Sequence, residues 1–159
     1  MEKQLLELAQ KTVEKLRLRK MTLSSAESCT GGMFSELITS VSGASEVFEL
    51  SVVSYSSRIK NKILCVDKDI LDTLGAVSKA TAIQMADNVR KLSSSDIAVS
   101  VTGVAGPAMS EGKAVGTVYI AVSTQDGTFA KLLNIEPVSR QFIRQKACMA
   151  LLEAVLEAL

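Results

Sequence analysis

The spacing of hydrophobic positions along this chain changes several times, and each change marks an element. Leu5, Leu6, Ala9, Val13 and Leu16 recur at helical spacing with charges between them, which predicts a first helix from about Lys3 to Leu18. The basic run Arg17-Leu18-Arg19-Lys20 closes it, since cations suit the negative end of a helix dipole. A short strand, Met21 to Ala26, follows. Gly31 and Gly32 then open a second helix carrying Met33, Phe34, Leu37 and Ile38, ended by Ser40-Val41-Ser42-Gly43. Val47 to Tyr55 is rich in β-branched and aromatic residues and reads as a strand. Next come a helix over Ser57 to Leu64 and a helical turn over Asp69 to Leu74 that Gly75 stops. A longer helix, capped by Ser78, reaches Lys91.

Ile97 to Val101 is apolar along its whole length, apart from Ser100, the pattern of a strand buried on both faces. A loop from Gly103 to Ala114 leads to a strand from Thr117 to Val122. Asp126-Gly127 is a hairpin turn signal, and Thr128 to Ile135 returns as the next strand. A last helix runs from about Ser139 to the end. The order α-β-α-β-α-α-β-β-β-α implies parallel pairing early and an antiparallel strand from the late hairpin. The expected fold is α/β, a three-layer αβα sandwich on a mixed, mostly parallel five-stranded sheet, in one domain over residues 1–159.

Composition narrows the chemistry. Of 159 residues, 47% are hydrophobic, enough for a core, and 18 basic against 17 acidic residues leave a charge of +1. That balance supplies no basic field for a nucleic acid, though a small site for one phosphate remains open. No apolar run reaches the roughly 18 residues of a membrane span, and the N-terminus lacks the pattern of a signal peptide. Cys29, Cys65 and Cys148 are few, odd in number and widely spaced, as in a reducing compartment, so a cytoplasmic location is expected. Histidine is absent, which removes Ser-His-Asp and Cys-His catalysis. No cysteine pair offers a zinc site, and neither metal nor cofactor is expected. Any general base must be Lys, Tyr or a carboxylate.

Two segments carry candidate chemistry. In Glu27-Ser28-Cys29-Thr30-Gly31-Gly32 a strand turns into a helix. Two glycines there cost ~1 kcal/mol each against Ala, and close approach of a ligand to the backbone is one reason to keep them. Free N–H groups at such a turn bind phosphate or stabilise an oxyanion. Ser28 is thus either a nucleophile on a tight elbow or a helix cap. Cys29 is the alternative nucleophile, but without histidine it needs another cation to form thiolate. In Tyr55 to Leu64, Ile59, Ile63 and Leu64 span one arc of ~140° of a helix and Lys60 falls inside it, whereas Arg58, Asn61 and Lys62 lie outside. Lys60 is either an inward, partly neutral base or a lysine whose stem lies on apolar surface while its amine reaches water.

Five segments in order then carry a family resemblance: Ala26-Glu27-Ser28-Cys29-Thr30-Gly31-Gly32, Val53-Ser54-Tyr55-Ser56, Gly75-Ala76-Val77-Ser78, Val101-Thr102-Gly103-Val104-Ala105-Gly106-Pro107 and Val115-Gly116-Thr117-Val118-Tyr119. Together they resemble the CinA C-terminal domain family, over nearly the whole chain from about Leu5. The resemblance implies a nicotinamide-nucleotide amidohydrolase that converts nicotinamide mononucleotide and water to nicotinate mononucleotide and ammonia. It implies Ser28 as nucleophile, Lys60 as base, Tyr55 as an active-site tyrosine that relays or orients a proton, and Thr102 and Arg140 as substrate-binding residues. Cys29, Thr30, Gly31 and Gly103 are expected around the substrate, with backbone N–H groups near Cys29, Thr30 or Gly103 holding an oxyanion. Arg140 has its own argument: a cation at a helix start opposes the dipole by ~0.3–1 kcal/mol, and a bound phosphate would reverse that sign. Arg144, one turn later, reads as an exposed, solvated arginine.

The segment Ala108-Met109-Ser110-Glu111-Gly112-Lys113-Ala114 departs from the family pattern. It is one residue shorter and lacks a glycine pair, which puts that loop's phosphate or ribose contacts in question. The larger N-terminal domain of many relatives is missing, so a stand-alone form is expected, as a homo-oligomer acting on a small nucleotide, with neither nucleic acid nor membrane as partner. The rival reading is a nucleotide-binding or assembly domain of the same fold without turnover.

Overall fold

A computed structural model describes all residues from Met1 to Leu159. Strands β1 (Leu23–Glu27), β2 (Phe48–Val53), β3 (Ile97–Gly103), β4 (Thr117–Thr124) and β5 (Gly127–Asn134) form one sheet in the order β2-β1-β3-β4-β5. β1 pairs in parallel with β2 and β3, and β3–β4 and β4–β5 are antiparallel. Four strands therefore run one way and β4 alone runs against them. This is the mixed sheet expected from the sequence.

Helices α1 (Glu2–Arg19), α2 (Met33–Thr39) and α6 (Arg140–Ala158) pack on one face. Helices α3 (Ser57–Leu64), α4 (Lys68–Thr73) and α5 (Lys79–Ser93) pack on the other. Strands β1 and β3 are covered on both sides and are buried along almost their whole length. The larger core lies under α1, α2 and α6, where Leu16, Phe34, Ile38, Ile97, Ile143 and Leu151 are fully enclosed. A smaller core of Ala26, Leu64, Met85, Val89 and Ala98 lies under α5. No helix is long and apolar enough to cross a membrane.

Element ends follow local chemistry. Ser56, Ser78 and Ser139 cap α3, α5 and α6 by accepting from Ile59, Thr81 and Phe142 N–H, each worth about 1 kcal/mol. The stretch after α2 contains a short 3₁₀ helix, Ala44–Glu46, which periodicity does not reveal because a single turn has no repeat to read.

Topology decides where a site can form. The chain leaves β1 toward β2 on one side, and β3 lies on β1's other side. Beyond the carboxyl ends of parallel strands, such a change of direction opens a crevice. Glu27 of β1 pairs with Val53 at the end of β2 and Val101 near the end of β3. Ser28, Ser54 and Thr102 thus lie at the same end of the sheet.

Candidate active site

The turn after β1 is built around its own glycines and acid. Gly31 and Gly32 have φ +60° and +96°, a region that costs a side-chain-bearing residue more than glycine. A Cβ at either would meet no neighbouring atom closer than 3.8 Å. Backbone conformation is by itself a sufficient reason for the pair.

The N–H groups at the start of α2 are not open to a phosphate either. The buried Glu27 carboxylate takes Gly32 N–H at 3.0 Å, Phe34 N–H at 3.2 Å and Ser35 N–H at 2.9 Å. It also accepts from the Thr30 hydroxyl at 2.6 Å and from the Ser35 hydroxyl. A charged acceptor at a helix N-terminus offsets the cost of its own burial. Glu27 is the positioning residue that the sequence reading passed over, although a carboxylate just ahead of a helix start was the signal for it. Ser28 N–H is tied to Val101 O and Gly31 N–H to Ser28 O. The N–H groups of Cys29 and Thr30 have no partner in the chain.

Lys60 meets Ser28 from helix α3. On α3 the inward positions are Lys60 and Leu64, both buried, while Ile63 is 45% exposed. The helix is therefore turned slightly from the arc that the three aliphatic residues suggest, and the lysine lies at its centre. Its Nζ stands 2.8 Å from Ser28 Oγ and 2.6 Å from the Ser54 carbonyl oxygen. Burial pulls the amine down to about 8, with the neighbouring Cys29 thiol and the Glu111 carboxylate drawing it part of the way back. The Ser54 carbonyl can accept only an N–H, so a neutral Lys60 has its lone pair free for the Ser28 proton. Ser54 is also buried, and the sequence offered no sign that its carbonyl would orient the amine.

The adjacent thiol is suited to packing. Cys29 is 5% exposed and belongs to the core under α1, α2 and α6. Burial pushes its thiol up to about 11, against smaller opposing pulls from its own backbone N–H and from Lys60. A thiol held that high is a poor nucleophile near neutrality.

These groups open onto a cleft of about 290 Å³ lined by Ser28, Cys29, Tyr55, Lys60, Thr102, Gly103, Glu111 and Arg140 among others. Thr30 and Gly31 do not line it, because the Thr30 hydroxyl is committed to Glu27 and Gly31 is folded into the turn. Thr102 donates its hydroxyl proton to the Ala76 carbonyl at 2.7 Å. Gly103 is required by packing, since a Cβ there would lie 2.7 Å from the Val118 side chain.

Tyr55 is 63% exposed and has no hydrogen bond to Ser28 or Lys60; its hydroxyl accepts from Arg140 at 2.8 Å. Arg140, the first residue of α6, also donates to the Gly106 carbonyl and meets no carboxylate. It is a cation facing the cleft with its charge uncompensated. Arg144 is half-buried rather than solvated. It donates to the Thr30 carbonyl at 2.7 Å, bracing the Ser28 turn. A second, more apolar cleft of about 330 Å³ between β5 and α6 contains none of these groups.

The loop from 108 to 114 forms one wall of the cleft. Glu111 accepts from Ala76 and Val77 N–H, both at 3.0 Å, and Lys113 behind it reaches Glu111 at 3.4 Å and the Leu74 carbonyl at 3.0 Å. Burial works against the Glu111 charge, but the two N–H groups and Lys113 outweigh it and hold the carboxyl below its usual range.

The CinA C-terminal domain model matches residues 5–159. A protein of Caldanaerobacter subterraneus, provisionally named competence-damage inducible protein, is 45% identical over 144 residues, 90% of this chain and 35% of its own length. One of Thermoanaerobacter with the same name is 44% identical over 94% of this chain and 36% of its length. The chain spans about a third of the length of these curated relatives. Among solved structures, the competence/damage inducible protein CihA of Agrobacterium tumefaciens aligns at TM-score 0.94 and 33% identity, over 97% of this chain and 94% of the other. A counterpart from Klebsiella pneumoniae aligns at 0.93 and 30%, over 96% and 95%.

Proposed function

From the premise that the chain belongs to the CinA C-terminal domain family, we propose that it hydrolyses the carboxamide of nicotinamide mononucleotide to nicotinate mononucleotide and ammonia. The observation that carries this reading is the 2.8 Å contact between a buried lysine amine and a serine hydroxyl at the end of β1. Neutral Lys60 removes the Ser28 proton as Oγ attacks the carboxamide carbon, the Ser-Lys form of nucleophile activation. The tetrahedral oxyanion is held by the N–H group of Cys29, which lines the cleft, and loss of one such donor typically costs ~3 kcal/mol. Lysinium then protonates the departing nitrogen, which leaves as ammonia, and an ester on Ser28 remains. Lys60, neutral again, takes a proton from water; the hydroxide attacks the ester, Lys60 returns its proton to the departing Ser28 oxygen, and the product acid releases its own proton to solvent and leaves as the carboxylate.

Arg140 supplies charge for the mononucleotide phosphate, and Tyr55 holds its guanidinium in place. Tyr55 therefore acts here through Arg140 rather than as a proton relay.

Ammonia release from nicotinamide mononucleotide by the purified protein is the deciding measurement. Ser28→Ala should abolish it by at least about a thousandfold, in line with loss of a covalent nucleophile. Cys29→Ala should keep most of it. Release that survives Ser28→Ala and vanishes with Cys29→Ala would transfer the role to the thiol. Tight mononucleotide binding with no ammonia release would favour the binding-domain reading.

A further inference from the structure

The cleft is polarised, and the arrangement is specific to the 108–114 loop. Arg140 enters one wall from α6, through Gly106 and Tyr55. Glu111 enters another from its own loop, fixed on Ala76 and Val77 N–H. Glu111 lines the cleft and Lys113 does not, so the carboxylate faces the substrate space and its ammonium partner stands behind. That partnership is loose, at 3.4 Å. The two backbone N–H groups are dipoles, so they localise the negative charge without cancelling it. The carboxylate is felt at the reacting end of the cleft too, since it is one of the groups that raise the Lys60 amine's proton affinity.

A site with a fixed cation on one wall and a fixed anion on another suits a ligand carrying both signs. Nicotinamide mononucleotide is such a ligand, with an anionic phosphate and a quaternary ring nitrogen. We propose that Glu111 is a specificity-determining residue that selects a substrate whose carboxamide-bearing ring is positively charged, over the same substrate with a neutral ring. This rests on the amidohydrolase reading above, because it names which form of that substrate the site prefers.

Two variants separate charge from loop architecture. Glu111→Gln removes the charge and keeps the side chain's shape, with one carbonyl oxygen left to accept from one of the Ala76 and Val77 N–H groups, which in the parent protein reach separate carboxylate oxygens. Lys113→Met removes the cation behind Glu111 and leaves the carboxylate. Dissociation constants are measured calorimetrically in the Ser28→Ala background, to prevent turnover, for nicotinamide mononucleotide and for its 1,4-dihydro form. The two share phosphate, ribose and carboxamide and differ in ring charge.

The unmodified-loop protein should bind the cationic form more tightly. Glu111→Gln should cut that preference by about two- to fivefold, the range of a partly exposed charge pair. Lys113→Met should increase it. A loop that only needs its contacts would weaken both ligands equally in both variants, and that result overturns the proposal. So does a preference that Glu111→Gln leaves unchanged. Should neither ligand bind before any loop variant is made, the amidohydrolase reading fails, and this inference falls with it.

Discussion

Lys60 sits in the interior with no carboxylate partner, held only by a serine hydroxyl and a carbonyl oxygen. An amine lowered from 10.5 to about 8 carries a folding cost of about 3 kcal/mol below pH 8, at ~1.36 kcal/mol per unit. Its folded value lies below its unfolded one, so the unfolded chain binds the extra proton between pH 8 and 10.5. Stability from this group therefore rises with pH across that window. Lys60→Met should stabilise the protein by about 1–2 kcal/mol at pH 7, after allowance for two lost hydrogen bonds. That advantage should fade as pH passes 10, a comparison that thermal unfolding at several pH values makes directly. The same substitution should abolish turnover, whereas Lys62→Met, at an exposed position, should be nearly silent. In the parent protein kcat/KM should rise with pH through one ionisation near 8; a flat profile between pH 6 and 9 would remove Lys60 as the base.

Elements that place these groups were unevenly visible in the sequence. Helix α3 was legible in its bounds, Ser57 to Leu64, and in the inward placing of Lys60, although Ile63 of the same arc is 45% exposed. β3 was legible as a strand covered on both sides, since only Ser100 and Thr102 interrupt its apolar run. The turn after β1 was legible as a turn, but what holds it was not. Its glycines adopt positive φ and the N–H groups of Gly32, Phe34 and Ser35 go to Glu27, and both depend on three-dimensional backbone geometry that spacing does not encode. The same limit hid Glu111, whose partners lie more than thirty residues away at Ala76 and Val77. Gly32→Ala tests the turn at this scale. With φ at +96°, the methyl should cost about 1–2 kcal/mol of stability, visible as a lower denaturation midpoint. It should also lower kcat more than it raises KM, because it displaces Ser28 rather than the phosphate site.

Across the whole molecule, the site draws on chain segments that are far apart in sequence. Arg140 is the clearest case: the last helix begins beside Gly106 and Tyr55, 34 and 85 residues away in sequence. Nothing local to Ser139-Arg140-Gln141 announces that reach. Arg140→Ala should raise KM for the mononucleotide by about tenfold or more, the worth of a charge-assisted phosphate contact. It should leave KM for nicotinamide riboside, which lacks the phosphate, within about twofold. An equal rise for both would remove Arg140 from the phosphate site.

An amine near 8 also gives this protein a chemical handle. At pH 7 about a tenth of such a group is unprotonated, against about three in ten thousand for an ordinary lysine, a contrast of a few hundredfold set by the burial that lowers Lys60. Small uncharged electrophiles that fit the cleft, such as isocyanic acid, react with the free amine alone. Brief exposure at pH 7 should therefore carbamylate Lys60 ahead of the surface lysines, readable as one added mass on the peptide spanning α3, and occupancy of the cleft by nicotinate mononucleotide should slow it.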